Sequence, residues 1–126
     1  GRDGSVRTAD GMFETKLATP KEMGGPGGAP NPEQSFASGF AACFLSAFKL
    51  AASNRKQAVR DAVVTAENTL LARPEGGFIF AVELKLSLKG MDKALAEEIA
   101  RDAENICPFA NSTRGNVKTK ITVETL

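Results

Sequence analysis

Apolar and polar residues alternate along several stretches of the chain, most clearly in FIFAVELKLSLK at residues 78–89. Apolar side chains occupy every even position there, while Glu83, Lys85 and Lys89 lie between them. A period of two is typical of a strand with one buried face and one face in water. From such stretches and the turns that bound them we predict these strands: residues 5–8, 12–17, 59–72, 78–89 and 117–123.

A different spacing, of three and four residues, predicts two helices. The first follows Asn31, a good N-cap with Pro32 at the first helical position, and extends to about Ser53. Its apolar stripe consists of Phe36, Phe40, Cys43, Phe44, Ala47, Phe48 and Ala51. The second helix starts after Asp92 and ends at Cys107–Pro108, because proline cannot continue a helix.

The connecting segments carry residues that favour turns. Asp10–Gly11 predicts a hairpin between the first two strands. The segment TPKEMGGPGGAPNP and the segment FANSTRGN, residues 109–116, are both predicted as loops. The order of strands, helix, hairpin, helix and strand indicates an α+β fold with a mostly antiparallel sheet.

Length and composition are those of an ordinary globular chain. With 126 residues we expect one domain, residues 1–126. The formal net charge of +1 gives no electrostatic reason to expect nucleic acid or an anionic membrane surface as a partner. We also expect no membrane span, because the most apolar run, residues 36–52, is interrupted by residues such as Ser38 and Lys49.

Two classes of ligand are disfavoured by the motifs. The glycine-rich segment contains neither GK[ST] nor a GxGxxG that follows a strand, so we do not expect it to bind phosphate. The chain has no histidine, and its two cysteines, Cys43 and Cys107, form no CxxC pair. Structural zinc usually has four Cys or His ligands, so we expect no metal.

The two cysteines leave two interpretations open. Free cysteines often fill a core as small apolar residues, and a thiol inside an apolar stripe is then inert. The chain would in that case be a non-enzymatic α+β dimer that binds an apolar ligand. Alternatively, the two helix faces pack together and bring the sulfurs within bonding range. Arg2 and Arg114 are cations whose charge could stabilise a thiolate without accepting its proton.

Four segments, in this order, resemble the Ohr/OsmC family: GRDG, TPKEMGG, NPEQSFASGFAACF and CPFANSTRGNV. The resemblance covers nearly the whole chain and is closest to the organic hydroperoxide resistance (Ohr) branch. The osmotically induced (OsmC) branch is the alternative, and NSTRGN after Cys107 favours the first. The resemblance implies an α+β fold of antiparallel sheets packed on two central helices in an intertwined homodimer. It also implies a cysteine-based peroxidase that reduces alkyl or fatty-acid hydroperoxides to alcohols.

The resemblance further implies roles for individual residues. Cys43 of AACF matches the peroxidatic cysteine, and Cys107 matches the resolving cysteine that forms a disulfide with it. Arg2 matches the arginine that holds the thiolate, and Glu33 the carboxylate that orients this arginine. Phenylalanines are expected to hold the apolar tail of the substrate: Phe36, Phe40, Phe44 and Phe109. We expect no bound cofactor, a cytoplasmic location, and a lipoyl-type dithiol reductant, either dihydrolipoamide or a lipoylated protein.

The chain departs from the family pattern at two places. The family usually has a short strand before GRDG, which is absent here, and we expect the sequence to be a trimmed fragment. Phe109 stands where the family often has tyrosine, which removes a hydroxyl from the pocket.

The length of the first helix also leads to a prediction about the oligomeric state. Glu33 and Cys43 are ten residues apart, so on one straight helix they are separated by roughly 15 Å along the axis. One guanidinium cannot hydrogen-bond at both places. Either the helix is broken, with Gly39 as the hinge, or the Glu33 beside a given Cys43 belongs to the other subunit. We therefore predict an obligate homodimer with its active sites at the subunit interface.

Overall fold

The computed structural model describes residues 1–126, which form an α+β fold, as predicted. In chain order the elements are β1 (Ser5–Arg7), β2 (Glu14–Lys16), a short 3-10 helix (Lys21–Met23), α1 (Pro32–Asn54), β3 (Arg60–Ala72), β4 (Phe78–Lys89), α2 (Lys93–Ile106), α3 (Pro108–Thr113) and β5 (Lys118–Thr125). They divide into two compact units, residues 1–36 and residues 37–126.

The first unit is built on the predicted hairpin, in which β1 and β2 pair antiparallel. Asp10 holds the turn, because its Oδ1 accepts hydrogen bonds from Thr8 Oγ1 at 2.6 Å and from the Met12 amide at 3.0 Å. The same bonds, that of Thr8 first, hold the pKa of Asp10 below its ordinary value. A short polar side chain of this kind is what a tight turn favours.

A capping box begins α1, as the positions of Asn31 and Gln34 predict. The Gln34 amide donates to Asn31 Oδ1 at 2.8 Å, and the Asn31 amide donates to Gln34 Oε1 at 2.9 Å. Two amides that the first turn would leave without partners are thereby satisfied. The helix then continues without interruption to Asn54, so the hinge considered at Gly39 does not occur.

The second unit contains a three-stranded sheet with β4 in the centre. β3 and β4 pair antiparallel as a hairpin, with Leu70 opposite Phe80. β5 pairs parallel to β4, with Leu84 opposite Ile121. Parallel neighbours need a crossover connection, and α2 and α3 provide it here. The predicted antiparallel pairing therefore holds for β1–β2 and β3–β4, while the β4–β5 pair departs from it.

The segment after Cys107 is partly helical, so the prediction of a loop there is wrong. Pro108–Thr113 forms α3, with Pro108 at its start, where the missing N–H of proline is no loss. Thr113 Oγ1 donates to the Phe109 carbonyl at 2.8 Å, which satisfies a hydroxyl within the helix. Asn, Ser and Thr lower helix propensity, but propensity is a weak determinant in so short a segment with a buried residue, Ala110.

The core of residues 37–126 lies among α1, β4 and α2. Its largest fully buried side chains are Phe40, Phe44, Phe48, Leu84, Leu86, Leu88, Ile99 and Cys107. The three phenylalanines recur every four residues and share one helical face, and the three leucines alternate along β4, as both patterns predict. Full burial of one such side chain contributes about 1.5–3 kcal/mol, so this cluster holds the second unit together.

By length and composition alone, α1 could cross a membrane, since it has 23 residues and its most apolar 18-residue window has a mean hydropathy of 1.4. The argument that Ser38 and Lys49 interrupt the apolar run enough to exclude a span is therefore wrong, because they do not lower its average hydropathy enough. Seven residues of α1 are buried within the protein, which is the behaviour of the core helix of a folded domain.

Candidate active site

The structure brings the two cysteines together. Cys43 lies in the middle of α1 and Cys107 at the junction of α2 and α3, and their sulfurs are 3.2 Å apart, with the Cys107 thiol donating to Cys43 Sγ. Both are free thiols. A disulfide bond is about 2.05 Å long, so the sulfurs need to approach by roughly 1 Å to form one. Two thiols in such a position can act as a redox pair.

The helix junction positions Cys107. Pro108 cannot continue α2, and the backbone of Cys107 is extended there, with φ −66° and ψ 117°. The Cys107 amide still donates to the Ala103 carbonyl at 2.8 Å, while its carbonyl accepts from the Asn111 amide at 2.9 Å. Cys107 thus belongs to the hydrogen-bonding of both helices, which fixes its sulfur relative to α2 and α3.

The two thiols lie in different environments. Cys107 is fully buried, and burial raises the pKa of its thiol above the ordinary value. The backbone amides of Ala110 and Phe109 act in the opposite direction, because an N–H group favours the thiolate. Cys43 is only partly buried. The two thiols therefore differ in exposure, and burial favours the protonated form of Cys107.

Arg2 and Glu33 form a bidentate ion pair within the first unit. Arg2 Nη1 donates to Glu33 Oε2 at 3.0 Å, and Nη2 donates to Oε1 at 2.5 Å. This contact holds the pKa of Glu33 below its ordinary range and raises the pKa of the Arg2 guanidinium. The Arg2 side chain remains 48% exposed, and that of Glu33 is 14% exposed. The carboxylate thus restricts the orientation of the guanidinium, and the roles of both residues at Cys43 stay a prediction.

The four phenylalanines predicted to bind substrate are placed in two ways. Phe40 and Phe44 are fully buried in the core, whereas Phe36 and Phe109 are partly exposed. The rings of Phe40 and Phe109 are in contact, with centroids 5.6 Å apart and planes at 46°. The partly exposed rings are the ones that a ligand from solvent could reach, and the substrate-binding role of all four residues stays a prediction.

Arg114 follows Cys107 in the sequence and was considered as a cation that could stabilise a thiolate. In the structure its guanidinium bonds to α2 and α3. Its guanidinium donates to Asn111 Oδ1 at 2.8 Å and to the Glu104 carbonyl at 3.1 Å. It therefore ties the end of α3 to the end of α2.

The structure offers no evident metal site. The described residues contain no group of three or more His, Cys, Asp or Glu side chains that could hold an ion.

From the sequence, Gly39 was considered only as a hinge and not as a residue that contacts this region. A Cβ built on Gly39 would lie 3.2 Å from Cζ of Phe109, so this ring rests on the backbone of α1. Gly39 precedes Cys43 by one helical turn and lies on the same side of α1. The sequence feature that indicates such a contact is a glycine in the middle of an otherwise strong helical pattern.

A family model described as "OsmC-like protein" matches residues 25–122 of this chain. Among curated relatives, the organic hydroperoxide resistance protein of Xanthomonas axonopodis pv. citri is 40% identical over 98% of this chain and 87% of its own length. The similarity thus extends over both units and includes the positions of both cysteines.

Solved structures agree with this result. An organic hydroperoxide resistance protein from Legionella pneumophila is 44% identical, with a TM-score of 0.94 over 98% of this chain and 90% of its own. OhrB of Bacillus subtilis is 31% identical, with a TM-score of 0.89 over 98% of this chain and 92% of its own. The fold described above is therefore that of these relatives.

Proposed function

Because the chain belongs to the OsmC-like protein family, and its relatives are named for resistance to organic hydroperoxides, we propose that it is a cysteine-based peroxidase. Its substrates are alkyl or fatty-acid hydroperoxides, which it reduces to alcohols. Cys43 is the peroxidatic cysteine, Cys107 is the resolving cysteine, and the two form an intramolecular disulfide in each cycle.

The observation that supports this proposal best is the pair of unequal thiols 3.2 Å apart. Peroxide must reach the first thiol from solvent, and Cys43 is partly exposed. The second thiol must stay unreacted until it is needed, and burial keeps Cys107 protonated. Two inert core cysteines would require neither the proximity nor the asymmetry.

The reaction follows from known thiol chemistry. The Cys43 thiolate attacks the terminal oxygen of the hydroperoxide, forming an S–O bond while the O–O bond breaks. The departing alkoxide takes up a proton and leaves as the alcohol, and Cys43 becomes a sulfenic acid. The Cys107 sulfur then attacks the Cys43 sulfur. The hydroxyl group leaves with the Cys107 proton as water, and the disulfide is formed.

Arg2 supplies the positive charge that a histidine would otherwise provide, and Glu33 holds it in place. A guanidinium cannot act as a base, but it stabilises a thiolate by its positive charge and its N–H donors. Glu33 engages both terminal nitrogens of Arg2 and so restricts their orientation. We assign to Arg2 the role of holding the Cys43 thiolate and to Glu33 that of a positioning residue.

A dithiol of the lipoyl type, dihydrolipoamide or a lipoylated protein, completes the cycle. Its first thiolate attacks the Cys43–Cys107 disulfide to form a mixed disulfide, and its second thiolate releases the protein in the reduced form. A dithiol is suited to this task because its own ring closure displaces the protein thiol without a second molecule. The cytoplasm, where such thiols stay reduced, is the proposed location.

We also propose that the protein is a homodimer in which Arg2 and Glu33 of one subunit serve Cys43 of the other. Since α1 is unbroken, ten helical residues keep Glu33 roughly 15 Å along the axis from Cys43 of its own chain. Complementation tests this arrangement. A Cys43→Ser chain mixed and refolded with an Arg2→Ala chain should regain activity, because each heterodimer then contains one intact site. No gain over the separate variants would contradict a shared site.

The experiment that tests the proposed function is thiol titration after one equivalent of tert-butyl hydroperoxide. Both thiols of the unmodified protein should disappear together as the disulfide forms. In Cys107→Ser one thiol should disappear and a trappable sulfenic acid should accumulate. A protein that keeps both thiols would instead be the non-enzymatic binder of apolar ligands.

Steady-state turnover then identifies substrate and reductant. Alkyl and fatty-acid hydroperoxides should be reduced faster than hydrogen peroxide, and dihydrolipoamide should support turnover where glutathione does not. Equal rates with glutathione would exclude the dithiol as the specific reductant.

A further inference from the structure

Gly39 and Phe109 form a close contact between α1 and α3. The Cζ and Cε2 atoms of Phe109 lie 3.2 Å and 3.3 Å from the place where a Cβ of residue 39 would be. Most real Cβ contacts are longer than this, so any other residue at position 39 would displace the ring by a few tenths of an ångström. The ring edge occupies the space that the missing side chain leaves.

Close approach, rather than backbone conformation, is what this glycine provides. Gly39 lies in the interior of α1, where a glycine costs roughly 0.5–1 kcal/mol relative to alanine. Its helical backbone can be adopted by any residue, so no turn or left-handed conformation requires it. The contact with Phe109 is the feature of the structure that an alanine would disturb.

Phe109 connects this contact to the sulfur chemistry. It lies two residues after Cys107 in the six-residue helix α3, and its ring also packs on Phe40. Gly39 precedes Cys43 by one helical turn on the same side of α1. The ring therefore fixes α3 to α1 beside the two sulfurs, whose separation is 3.2 Å.

We propose that Gly39 is a positioning residue for disulfide formation, because it gives the Phe109 ring a place on α1 from which α3 holds Cys107 against Cys43. This inference rests on the proposed function for its biological meaning. The step concerned is the condensation of the Cys43 sulfenic acid with the Cys107 thiol, which forms the S–S bond and releases water. Attack of the Cys43 thiolate on the hydroperoxide precedes this step and is measured separately, since Phe109 is also a predicted substrate-binding residue.

Gly39→Ala is the first test, with Ser46→Ala, at an exposed position of the same helix, as the control for helix propensity. In rapid mixing with tert-butyl hydroperoxide, the formation of the sulfenic acid and the closure of the disulfide are followed separately in Gly39→Ala. Its disulfide should then close about threefold to tenfold more slowly, because small misplacements of reacting groups slow a reaction by such factors. Ser46→Ala should change neither rate. A normal rate of closure in Gly39→Ala would overturn the proposal.

A double-mutant cycle tests whether the effect passes through the ring. Phe109→Leu alone should slow closure, since it loses the contact. In the Phe109→Leu background, adding Gly39→Ala should change the closure rate by less than about twofold, because no ring is left to displace. Equal slowing by Gly39→Ala in both backgrounds would show that Phe109 is not involved.

The equilibrium of the thiol pair separates this inference from the proposed function. In a buffer of reduced and oxidised dithiothreitol, no hydroperoxide is needed to form the disulfide. Gly39→Ala should make the disulfide easier to reduce, and a tenfold change in its equilibrium constant would appear as about 30 mV. If hydroperoxide turnover fails but this shift is found, the proposed function is wrong and the role of Gly39 stands. An unchanged potential would overturn the role of Gly39 whatever the activity.

Discussion

Residues 1–36 and residues 37–126 hold their chemically important groups by different forces. In the first unit only Leu17 and Ala18 are buried, so polar contacts hold its structure together. Asp3 accepts hydrogen bonds from the Thr19 amide at 2.9 Å and the Thr19 hydroxyl at 3.2 Å, and Arg2 pairs with Glu33. In the second unit, packed aromatic and aliphatic side chains form the core, in which Cys107 is fully buried and Cys43 is partly buried.

The difference matches what each kind of group requires. A thiol and a sulfenic acid react only when their sulfur atoms approach within bonding distance, so their frame must be rigid to a fraction of an ångström. A positive charge acts over several ångströms and tolerates small displacements. Packing therefore suits the cysteine pair, and a hydrogen-bonded ion pair suits the charge. Substitutions in the two units should fail in correspondingly different ways.

The largest expected effect compares the loss of the Cys43 sulfur with the loss of the Arg2 charge. Cys43→Ser should abolish hydroperoxide reduction, because an alcohol supplies no nucleophile comparable to a thiolate at neutral pH. Arg2→Ala should leave a slower reaction, reduced by about tenfold or more, since an adjacent opposite charge alters ionisation to this extent. Turnover of tert-butyl hydroperoxide measures both. Equal loss in the two variants would mean that the charge is as indispensable as the sulfur.

The next effect concerns stability and compares one phenylalanine from each unit. Phe48→Ala removes a fully buried ring and should lower the free energy of unfolding by about 3–5 kcal/mol. Phe13→Ala removes a ring that is 54% exposed and should stay within about 0.5 kcal/mol. Urea unfolding followed by circular dichroism gives both values. A large loss for Phe13→Ala would reveal an apolar cluster in residues 1–36 and remove the contrast.

A smaller effect should appear at alkaline pH and belong to the second unit. Burial raises the pKa of Cys107 above the ordinary thiol value of 9.0, so above that pH the unfolded thiol ionises first. Stability is then fully present below about pH 9 and is lost as the pH rises toward the raised pKa. Cys107→Ser should weaken this decline. The chain has no tyrosine to obscure it. An identical decline in the variant would assign it to other groups.

The smallest effect should appear at acid pH and belong to the first unit. Arg2 lowers the pKa of Glu33 below the ordinary carboxyl value of 4.5. The contribution of the pair is therefore present above that value and is lost as the pH falls through the lowered pKa. Glu33→Gln should reduce the loss of stability at acid pH. The reduction should be slight, because solvent screens the exposed Arg2. Asp61→Asn, at an exposed carboxylate of the second unit, is the control and should leave the Glu33-dependent part unchanged.

Patterns with a fixed period predicted most of the fold. The capping residues Asn31 and Asp92 located both long helices, and alternation located β4 and β5 to within a few residues. The direction of β5 could not be inferred, since a parallel and an antiparallel edge strand alternate in the same way. The helix α3 was missed because Asn111, Ser112 and Thr113 favour loops, whereas tertiary packing decided its conformation.

The site was predictable to the extent that its residue types are distinctive. Two cysteines in a chain without histidine indicate possible thiol chemistry, and the motif resemblance alone pairs Arg2 with Glu33. The contact of Gly39 with Phe109 could not be read in this way, because it joins residues from two helices through a side chain that is absent. Sequence periodicity reports which face is buried and does not report what lies against it.

The parallel strand β5 has a consequence for how the chain folds. It pairs residue 118 with residue 81, and such non-local pairings are slow to form because a long loop must close first. The segment that must close is the one that carries Cys107. In a nascent or refolding chain, Cys43 is therefore present before Cys107 is held beside it. A sulfenic acid formed at that stage has no neighbouring thiol, and excess peroxide can oxidise it further to the irreversible sulfinic acid. Under the proposed function, folding of the crossover is thus the step that protects Cys43 from irreversible oxidation.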